Sequence, residues 1–363
     1  MSTTTGDATG RQTTTERLLH IMRRQEVGLL AVIILLGIAF NMVNDRFITT
    51  TNLFNLVQAV TVIGIIAVGQ AFVLISKEID LSVGSVLALS AVCAGWLVQT
   101  AGLPAWAAIP GGILVGATSG LVIGVVVVFG KVNSFIVTLG MLSIARGLTQ
   151  LVTGGLPISM PESIQWLGQG RILGGPPISV VVFVALAIIG QLVLSRTVFG
   201  QRVVAVGDNA EAARLGGIPV NRTRVLVFVL VGMLAGLAGV VFATQVGVAE
   251  AQAGRGYELD VIAAVVIGGA SLSGGRGSIV GAFLGACLLG VLRNAFVLLA
   301  LSPFLQEFSI GLVIVLAALL DQFRQGNLGS FLRRRRTGPD DSPPVGRDPV
   351  DDTTHTHATS SAQ

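Results

Sequence analysis

The chain has little charge for its length, and this scarcity excludes most soluble folds. Only 12% of its 363 residues are charged, while 52% are hydrophobic. A soluble domain carries about 25% charged residues and covers its core with them, so this chain lacks the polar surface of a soluble protein. The composition therefore indicates an integral membrane protein in contact with the lipid bilayer. Loop cations that face an anionic membrane surface explain the formal net charge of +4, so no nucleic-acid partner is expected.

Cysteine and histidine are also rare, which removes the common disulfide and metal chemistries. The two cysteines, Cys93 and Cys287, lie inside apolar runs, and two of the three histidines, His355 and His357, lie in a polar tail. These positions offer no disulfide framework, no paired-cysteine metal site and no histidine triad. We therefore expect neither a metal site nor a catalytic residue.

Two further absences bear on the source of energy. An ion-driven transporter normally holds an Asp or Glu deep in the membrane. The carboxylates near the apolar runs are all expected at span ends: Asp80, Glu250, Glu258, Asp260, Glu307 and Asp321. Neither of the two lysines, Lys77 and Lys131, belongs to a phosphate-binding GxxxxGK[ST] loop. The sequence thus predicts a non-enzymatic chain that binds no cofactor, and a separate ATPase subunit that uses the ATP.

Ten apolar runs are candidates for transmembrane helices, at about 20 residues a crossing. The shortest run is expected to be a short or broken helix buried among its neighbours, because a bilayer tolerates irregular backbone only where protein shields it. The predicted fold class is all-α, a polytopic membrane protein of about ten transmembrane helices. The runs are 27–43, 53–76, 81–101, 105–130, 133–153, 178–195, 225–248, 261–270, 278–300 and 304–320.

The basic residues orient the chain in the membrane. With ten crossings and a cytoplasmic N-terminus, nearly all loop lysines and arginines are cytoplasmic, and only Arg46, Arg171 and Arg255 remain outside. A re-entrant eighth run would instead place the four arginines 333–336 outside. The N- and C-termini are therefore both predicted to be cytoplasmic.

Composition divides the chain into three parts. A polar and basic cytoplasmic segment, 1–26, precedes the transmembrane domain, 27–324, and a tail rich in Pro, Asp, Ser and Thr, 325–363, is expected to be disordered. Within the spans, glycines three to five residues apart predict close helix packing in lipid. These glycines are Gly232, Gly236 and Gly239, and Gly281, Gly285 and Gly290.

The longest internal cytoplasmic loop, 196–224, contains the signals of a short helix. Asp208 or Asn209 is expected to cap it, and Glu211 falls in its first turn. Gly216, Gly217 and Pro219 end it after residue 215. The alternative interpretation of the loop is an ordinary charged connector.

Four motifs follow one another along the chain. They are IDLSVGS at 79–85, FIVTLG at 135–140 followed by Arg146 and Gly147, AVGDN with AARLGGI across 205–218, and ELD at 258–260 with GGRGS at 274–278. Together they resemble the permeases of ATP-binding cassette importers of the ribose/xylose type, over residues 50 to 324. The resemblance implies a bacterial plasma-membrane permease that works with a second permease copy, two ATPase subunits and an extracytoplasmic sugar-binding protein.

The loop also resembles the glutamate-alanine-alanine signature by which importer permeases contact their ATPases. It has Glu211, Ala212, Ala213 and the later Gly217, but not the downstream isoleucine and proline pattern. The resemblance implies an ATPase-coupling set of Asp208, Asn209, Glu211, Ala212, Ala213, Arg214 and Gly217.

A substrate pathway is expected where the third and eighth spans begin. These spans run in opposite directions, which suggests an inverted repeat of spans two to five against seven to ten. Amides and an indole suit a polyol, although interhelical hydrogen bonding is the alternative role of such amides. Arg293 either lines a wet vestibule or snorkels. The predicted gate and pathway residues are Asp80, Ser82, Gly84, Trp96, Asp260, Arg293 and Asn294.

One departure from the family pattern lies at the predicted cytoplasmic mouth. Lys77 and Glu78 stand where many members have two glycines. The two charges either alter a gate or pair with each other.

The leading hypothesis is an importer permease for a simple sugar. An autonomous channel or facilitator is the rival hypothesis, because such a protein also lacks an ion-coupling site and a nucleotide-binding site. A third hypothesis keeps the importer and changes the cargo to nucleosides or branched-chain amino acids.

Overall fold

The fold is built almost entirely from α-helices. The computed structural model describes residues 25–324, which contain thirteen α-helices and one short two-stranded ribbon. The helices are α1 (Gln25–Val43), α2 (Thr50–Ile75), α3 (Val83–Gln99), α4 (Ala108–Phe129), α5 (Ser134–Thr153), α6 (Glu162–Gln169), α7 (Ile178–Arg196), α8 (Val198–Asp208), α9 (Ala210–Leu215), α10 (Val220–Val246), α11 (Tyr257–Ile267), α12 (Ile279–Leu298) and α13 (Pro303–Arg324). The predicted tail, 325–363, and residues 1–24 of the predicted N-terminal segment lie outside the described residues.

Every predicted apolar run corresponds to a helix, which confirms the class of a multi-pass membrane protein. Among the described residues, seven helices are long and apolar enough to cross a membrane, namely α1, α2, α4, α5, α7, α10 and α12. Two more apolar stretches are shorter, Val83–Gln99 and Phe304–Val313. The total of ten crossings and the side of the termini stay predictions.

Helix α11 corresponds to the eighth run and has only 11 residues. Its buried residues include Val261 and the stretch 263–266, so neighbouring helices shield it along its length. The expectation of a short helix buried among its neighbours is therefore confirmed. The helix begins four residues earlier than the apolar run, because its first turn contains the polar Glu258 and Asp260.

Helices α4 and α10 pack backbone against backbone. A Cβ atom at Gly116 would lie 2.1 Å from the carbonyl oxygen of Gly232, and one at Gly236 would lie 2.3 Å from the carbonyl oxygen of Gly112. Side chains would force these helices apart, so the glycines permit the dispersion contacts that hold helices together in lipid. The predicted packing role of Gly232 and Gly236 is confirmed, and their partners are the α4 glycines.

Two further contacts connect the two halves of the chain. Helix α2 is buried along most of its length and packs on α12, as α10 packs on α4. Strand β1 (Ile158–Ser159), after α5, pairs antiparallel with β2 (Val248–Ala249), after α10. This ribbon ties the end of α5 to the segment that leads into α11.

Candidate functional site

The first turns of α3 and α11 meet. A Cβ atom at Gly84 would lie 2.3 Å from the carbonyl oxygen of Gly254, and one at Gly254 would lie 2.8 Å from the carbonyl oxygen of Gly84. We call residues 80–84 and 254–260 the helix junction. The first N–H groups of a helix lack partners within it and carry the positive end of its dipole. Two such ends together favour hydrogen-bond acceptors and negative charge.

On the α3 side, Asp80 organises the chain before the helix. It is 1% exposed, and its Oδ1 accepts hydrogen bonds from the backbone N–H of Ser82 at 2.7 Å and from the Ser82 hydroxyl at 2.6 Å. The Gln70 amide donates to the Asp80 carbonyl oxygen at 3.1 Å. Asp80 therefore forms a local turn ahead of α3, and Ser82 is the residue at the N-cap position.

On the α11 side, two arginines fix the junction. Arg146 of α5 donates to the carbonyl oxygens of Ala251 and Ala253, both at 2.8 Å, and so holds the segment before the helix. Arg293 of α12 forms an ion pair with Asp260, and its guanidinium carbon lies 5.7 Å from the centre of the Tyr257 ring. Arg293 thus binds inside the protein and does not snorkel.

The structure shows that two of the carboxylates predicted at span ends are buried. Asp80 and Asp260, expected at span ends, are 1% and 2% exposed and lie in the protein interior. They are buried because neighbouring helices enclose the starts of the short helices α3 and α11. Each carboxylate has polar partners that compensate for its burial.

Two buried oxygens, one on α2 beside the junction and one within it, have no hydrogen-bond donor among residues 25–324. They are Oε1 of Gln70 and Oε2 of Glu258. The second lies 2.6 Å from the position of a Cβ atom at Gly84, so it reaches across from α11 to α3. Both atoms accept hydrogen bonds, and a ligand with several hydroxyl groups would supply the missing donors.

Two predicted pathway residues are not among the residues that form the junction. Trp96 is 40% exposed at the other end of α3, about 20 Å along the helix from Val83. Asn294 exchanges hydrogen bonds of 2.8 Å with Asn52 of α2. For Asn294 the interhelical alternative therefore describes the observed contact.

Sequence reasoning did not select Glu258 or Gly254 as site residues. Glu258 stands in one of the four motifs, and Gly254 precedes α11 with a φ of +63°. The sequence feature that could have identified them is the presence of glycines directly before an unusually short apolar run. Glycine is required where two backbones approach closely at the start of a helix.

The cytoplasmic loop contains the predicted short helix, α9. Its cap is Asn209, whose Oδ1 accepts hydrogen bonds from the N–H groups of Glu211 and Ala212, both at 3.0 Å. Gly217 adopts a φ of +80° after the helix. A small apolar cluster of Val206, Ala213 and Val220 packs α9 against its neighbours. The element is thus folded and supported, while Glu211 and Arg214 are exposed.

A second glycine contact joins this loop to the end of α2 and to the segment after α11. A Cβ atom at Gly207 would lie 1.7 Å from the carbonyl oxygen of Ile75 and 2.7 Å from the N–H nitrogen of Gly275. The Gly275 N–H donates to that same Ile75 oxygen at 2.9 Å. The end of α2, the segment after α11 and the chain entering α9 therefore meet at one point. Sequence reasoning missed this contact, although all its glycines lie within the motifs.

Glu78 pairs with Arg224 at the start of α10, at 3.0 Å. The interpretation in which Lys77 and Glu78 pair with each other is therefore wrong. Lys77 adopts a φ of +65°, which turns it out of α2 and leaves Glu78 to face α10. The effect of these charges on a gate stays a prediction.

Comparison with known proteins agrees with this architecture. The family model for the permease component of branched-chain amino acid transport systems matches residues 52–318. The ribose import permease protein RbsC of Escherichia coli is 40% identical over 307 residues, 83% of this chain and 94% of the relative. The L-arabinose ABC transporter permease protein AraH of Azospirillum brasilense is 39% identical over 302 residues, 82% and 88%. No solved structure matches the chain.

These matches define a membrane-embedded transport component. The chain belongs to the family of transport-system permease components that the matching model describes. The resemblance expected from the four motifs is thereby confirmed.

Proposed function

We propose that this chain is the permease subunit of an ATP-binding cassette importer in a bacterial plasma membrane, and that its cargo is a simple sugar of the ribose or xylose type. The helix junction carries the proposal, because two short helices begin face to face and present buried acceptors without donors. Discontinuous helices that meet in this way form substrate sites in many transporters. The similarity to permeases named for ribose and L-arabinose supports the choice of sugar.

The cargo interpretation follows from the chemistry of the junction. Sugar hydroxyls donate hydrogen bonds, and Oε1 of Gln70 and Oε2 of Glu258 accept them. A free amino acid instead requires partners for both an ammonium and a carboxylate. At the junction the Arg293 guanidinium already forms an ion pair with Asp260, so it is not free to bind the carboxylate of an amino acid. A neutral polyol therefore suits the site better than a branched-chain amino acid.

Movement of the cargo requires the junction to open and close under force from partners. In this proposal two ATPase subunits bind α9 of this chain and of a second permease copy, and an extracytoplasmic binding protein delivers the sugar. Force on α9 reaches Gly207, then Ile75, and then the segment 76–80 that ends in Asp80. This route explains how a chain without a nucleotide site responds to ATP.

Reconstitution in vesicles tests the function. With the ATPase and the binding protein present, uptake of ribose or xylose should require ATP hydrolysis, and leucine should not compete. Passage of sugar through the chain alone, without ATP, would establish the channel hypothesis instead. Uptake of leucine or a nucleoside in preference to sugar would overturn the cargo assignment and retain the importer.

Introducing phenylalanine at Gly217 should reduce co-purification of the ATPase at least about tenfold, because a bulky side chain beside α9 prevents close docking. The matched control is Gly174→Phe. Gly174 also has a positive φ, +75°, and neither glycine has an atom within 4 Å of its Cβ position. The backbone strain is therefore similar in the two variants. Equal ATPase binding by both would show that α9 is an ordinary connector.

Asp80→Asn should lower transport about tenfold while the amount of assembled complex stays normal. Asparagine retains an Oδ1 that accepts both hydrogen bonds from Ser82, so the turn persists. The charged acceptor is lost, and a hydrogen bond to a charged group is worth about 1.5 to 3 kcal/mol. Initial uptake rates measure the effect, with the exposed Asp45→Asn as control. Wild-type uptake by Asp80→Asn would reduce Asp80 to a turn former.

A further inference from the structure

A basic cleft of about 690 Å³ opens beside the ends of α2 and α4 and the start of α10. Four cations line it, Lys77, Lys131, Arg214 and Arg224, against one carboxylate, Glu78. Glu78 is engaged by Arg224, and within residues 25–324 the other three cations form no ion pair. The cleft is therefore electrostatically complementary to an anion.

An apolar groove of about 620 Å³ adjoins the basic cleft and shares Arg214 and Asn221 with it. Most apolar side chains of the groove come from α4 and from the start of α10, and Ile218 and Pro219 of the preceding loop complete it. The groove is lined from the two helices by Leu121, Val125, Phe129, Val220, Val225 and Leu226, together with Arg222. From Phe129 to Leu121 the groove follows α4 for about 12 Å, away from the end of the helix at the basic cleft. Cations at one end and apolar side chains at the other match an amphiphile.

We infer that the basic cleft and the apolar groove together bind one anionic phospholipid of the cytoplasmic leaflet. The phosphate lies among Lys77, Lys131 and Arg214, and part of an acyl chain lies along α4 and α10. The position supports this assignment, because α4 and α10 are both long enough to span the membrane and the predicted orientation places the basic cleft at the cytoplasmic surface. Anionic lipids are concentrated there and attract basic groups.

Other occupants explain only part of the geometry. A soluble anion such as phosphate satisfies the three cations but leaves Leu121, Val125 and Phe129 without a partner. An acidic segment of a protein also suits the cations, yet the groove runs along a membrane helix where lipid is the neighbour. A neutral sugar carries no negative charge that could pair with the three cations.

Phosphatidylglycerol titration of the purified full chain tests the inference, with the rise in melting temperature giving an apparent affinity. Lys77→Gln and Lys131→Gln should each weaken binding about fivefold, and the double variant about thirtyfold. Lys77 and Lys131 adopt left-handed backbone conformations, with φ of +65° and +55°. Glutamine and lysine are both strained in this conformation to a similar degree, so the substitutions change the charge and not the backbone strain. Arg202→Gln removes an exposed cation outside the cleft and the groove and should leave the affinity unchanged.

Val125→Trp fills the groove while every cation of the site is retained, and it should also weaken phosphatidylglycerol binding. Phosphatidylcholine and inorganic phosphate should give no comparable stabilisation. An equal effect of inorganic phosphate would show a soluble-anion site and overturn the inference. So would unchanged phosphatidylglycerol affinity in Val125→Trp or in the double lysine variant. If the double variant lost ATPase binding and kept its lipid affinity, the cleft would belong to a protein interface.

Discussion

Replacing Gly116 with leucine should leave little folded protein after extraction from the membrane. A Cβ atom at Gly116 would lie 2.1 Å from the Gly232 carbonyl oxygen and 2.9 Å from the Gly236 Cα atom. These neighbours are backbone atoms of another helix and cannot rotate away, so α4 and α10 must separate. Overpacking typically costs about 1 to 3 kcal/mol, and separation of the helices along this face should bring the cost to the upper end. The yield of monodisperse protein and its melting temperature measure the loss.

The control for Gly116 is another helical glycine with open space around it. No atom lies within 4 Å of a Cβ position at Gly140 of α5, so Gly140→Leu should fold normally. Leucine is also a better helix former than glycine by about 0.5 to 1 kcal/mol, which favours the control variant. Similar yields of the two leucine variants would mean that α4 and α10 do not pack through Gly116.

Asp260→Asn should destabilise the chain by about 3 kcal/mol, because it leaves the Arg293 guanidinium without its counter-charge inside the protein. Asp260 is 2% exposed, whereas the Arg293 side chain is 27% exposed, so the cost lies at the low end of the range for a broken buried pair. The melting temperature of the purified chain reports the change.

A second substitution separates charge from packing in this pair. Adding Arg293→Gln to Asp260→Asn removes the unpaired charge and allows a hydrogen bond between two amides. The double variant should therefore recover much of the lost stability, as a double-mutant cycle would show. If the two single losses were simply additive, the ion pair would contribute nothing to the helix junction.

Local features of this fold could be predicted from the sequence. The apolar runs predicted the helices correctly, because the length of a hydrophobic stretch can be read from the sequence alone. Helix α9 was also predictable, since a capping Asn209 and the terminating Gly216 and Gly217 act within a few residues of it. Four motifs located the segments in which the helix junction and the coupling loop lie.

Contacts between distant segments could not be predicted in the same way. Gly84 meets Gly254, and Glu78 pairs with Arg224, but nothing in either local sequence specifies the partner. The burial of Asp80 has the same origin, since surrounding helices enclose it and its own flanks do not. Trp96 shows a related limit of sequence analysis. Its side chain suits a sugar and it belongs to α3 as predicted, but it lies at the end of α3 opposite to the helix junction.

The glycine faces of α4 and α10 have a consequence for biogenesis. α4 emerges from the ribosome well before α10, and its glycine face stays without its final partner until α10 has also inserted. During that interval α4 can associate only with lipid or with another helix that tolerates close approach. α2 is in the same position with respect to α12. Helices of the first half of the chain therefore gain their packing partners only when the second half has been translated. A chain truncated before residue 220 should be a substrate for membrane proteases.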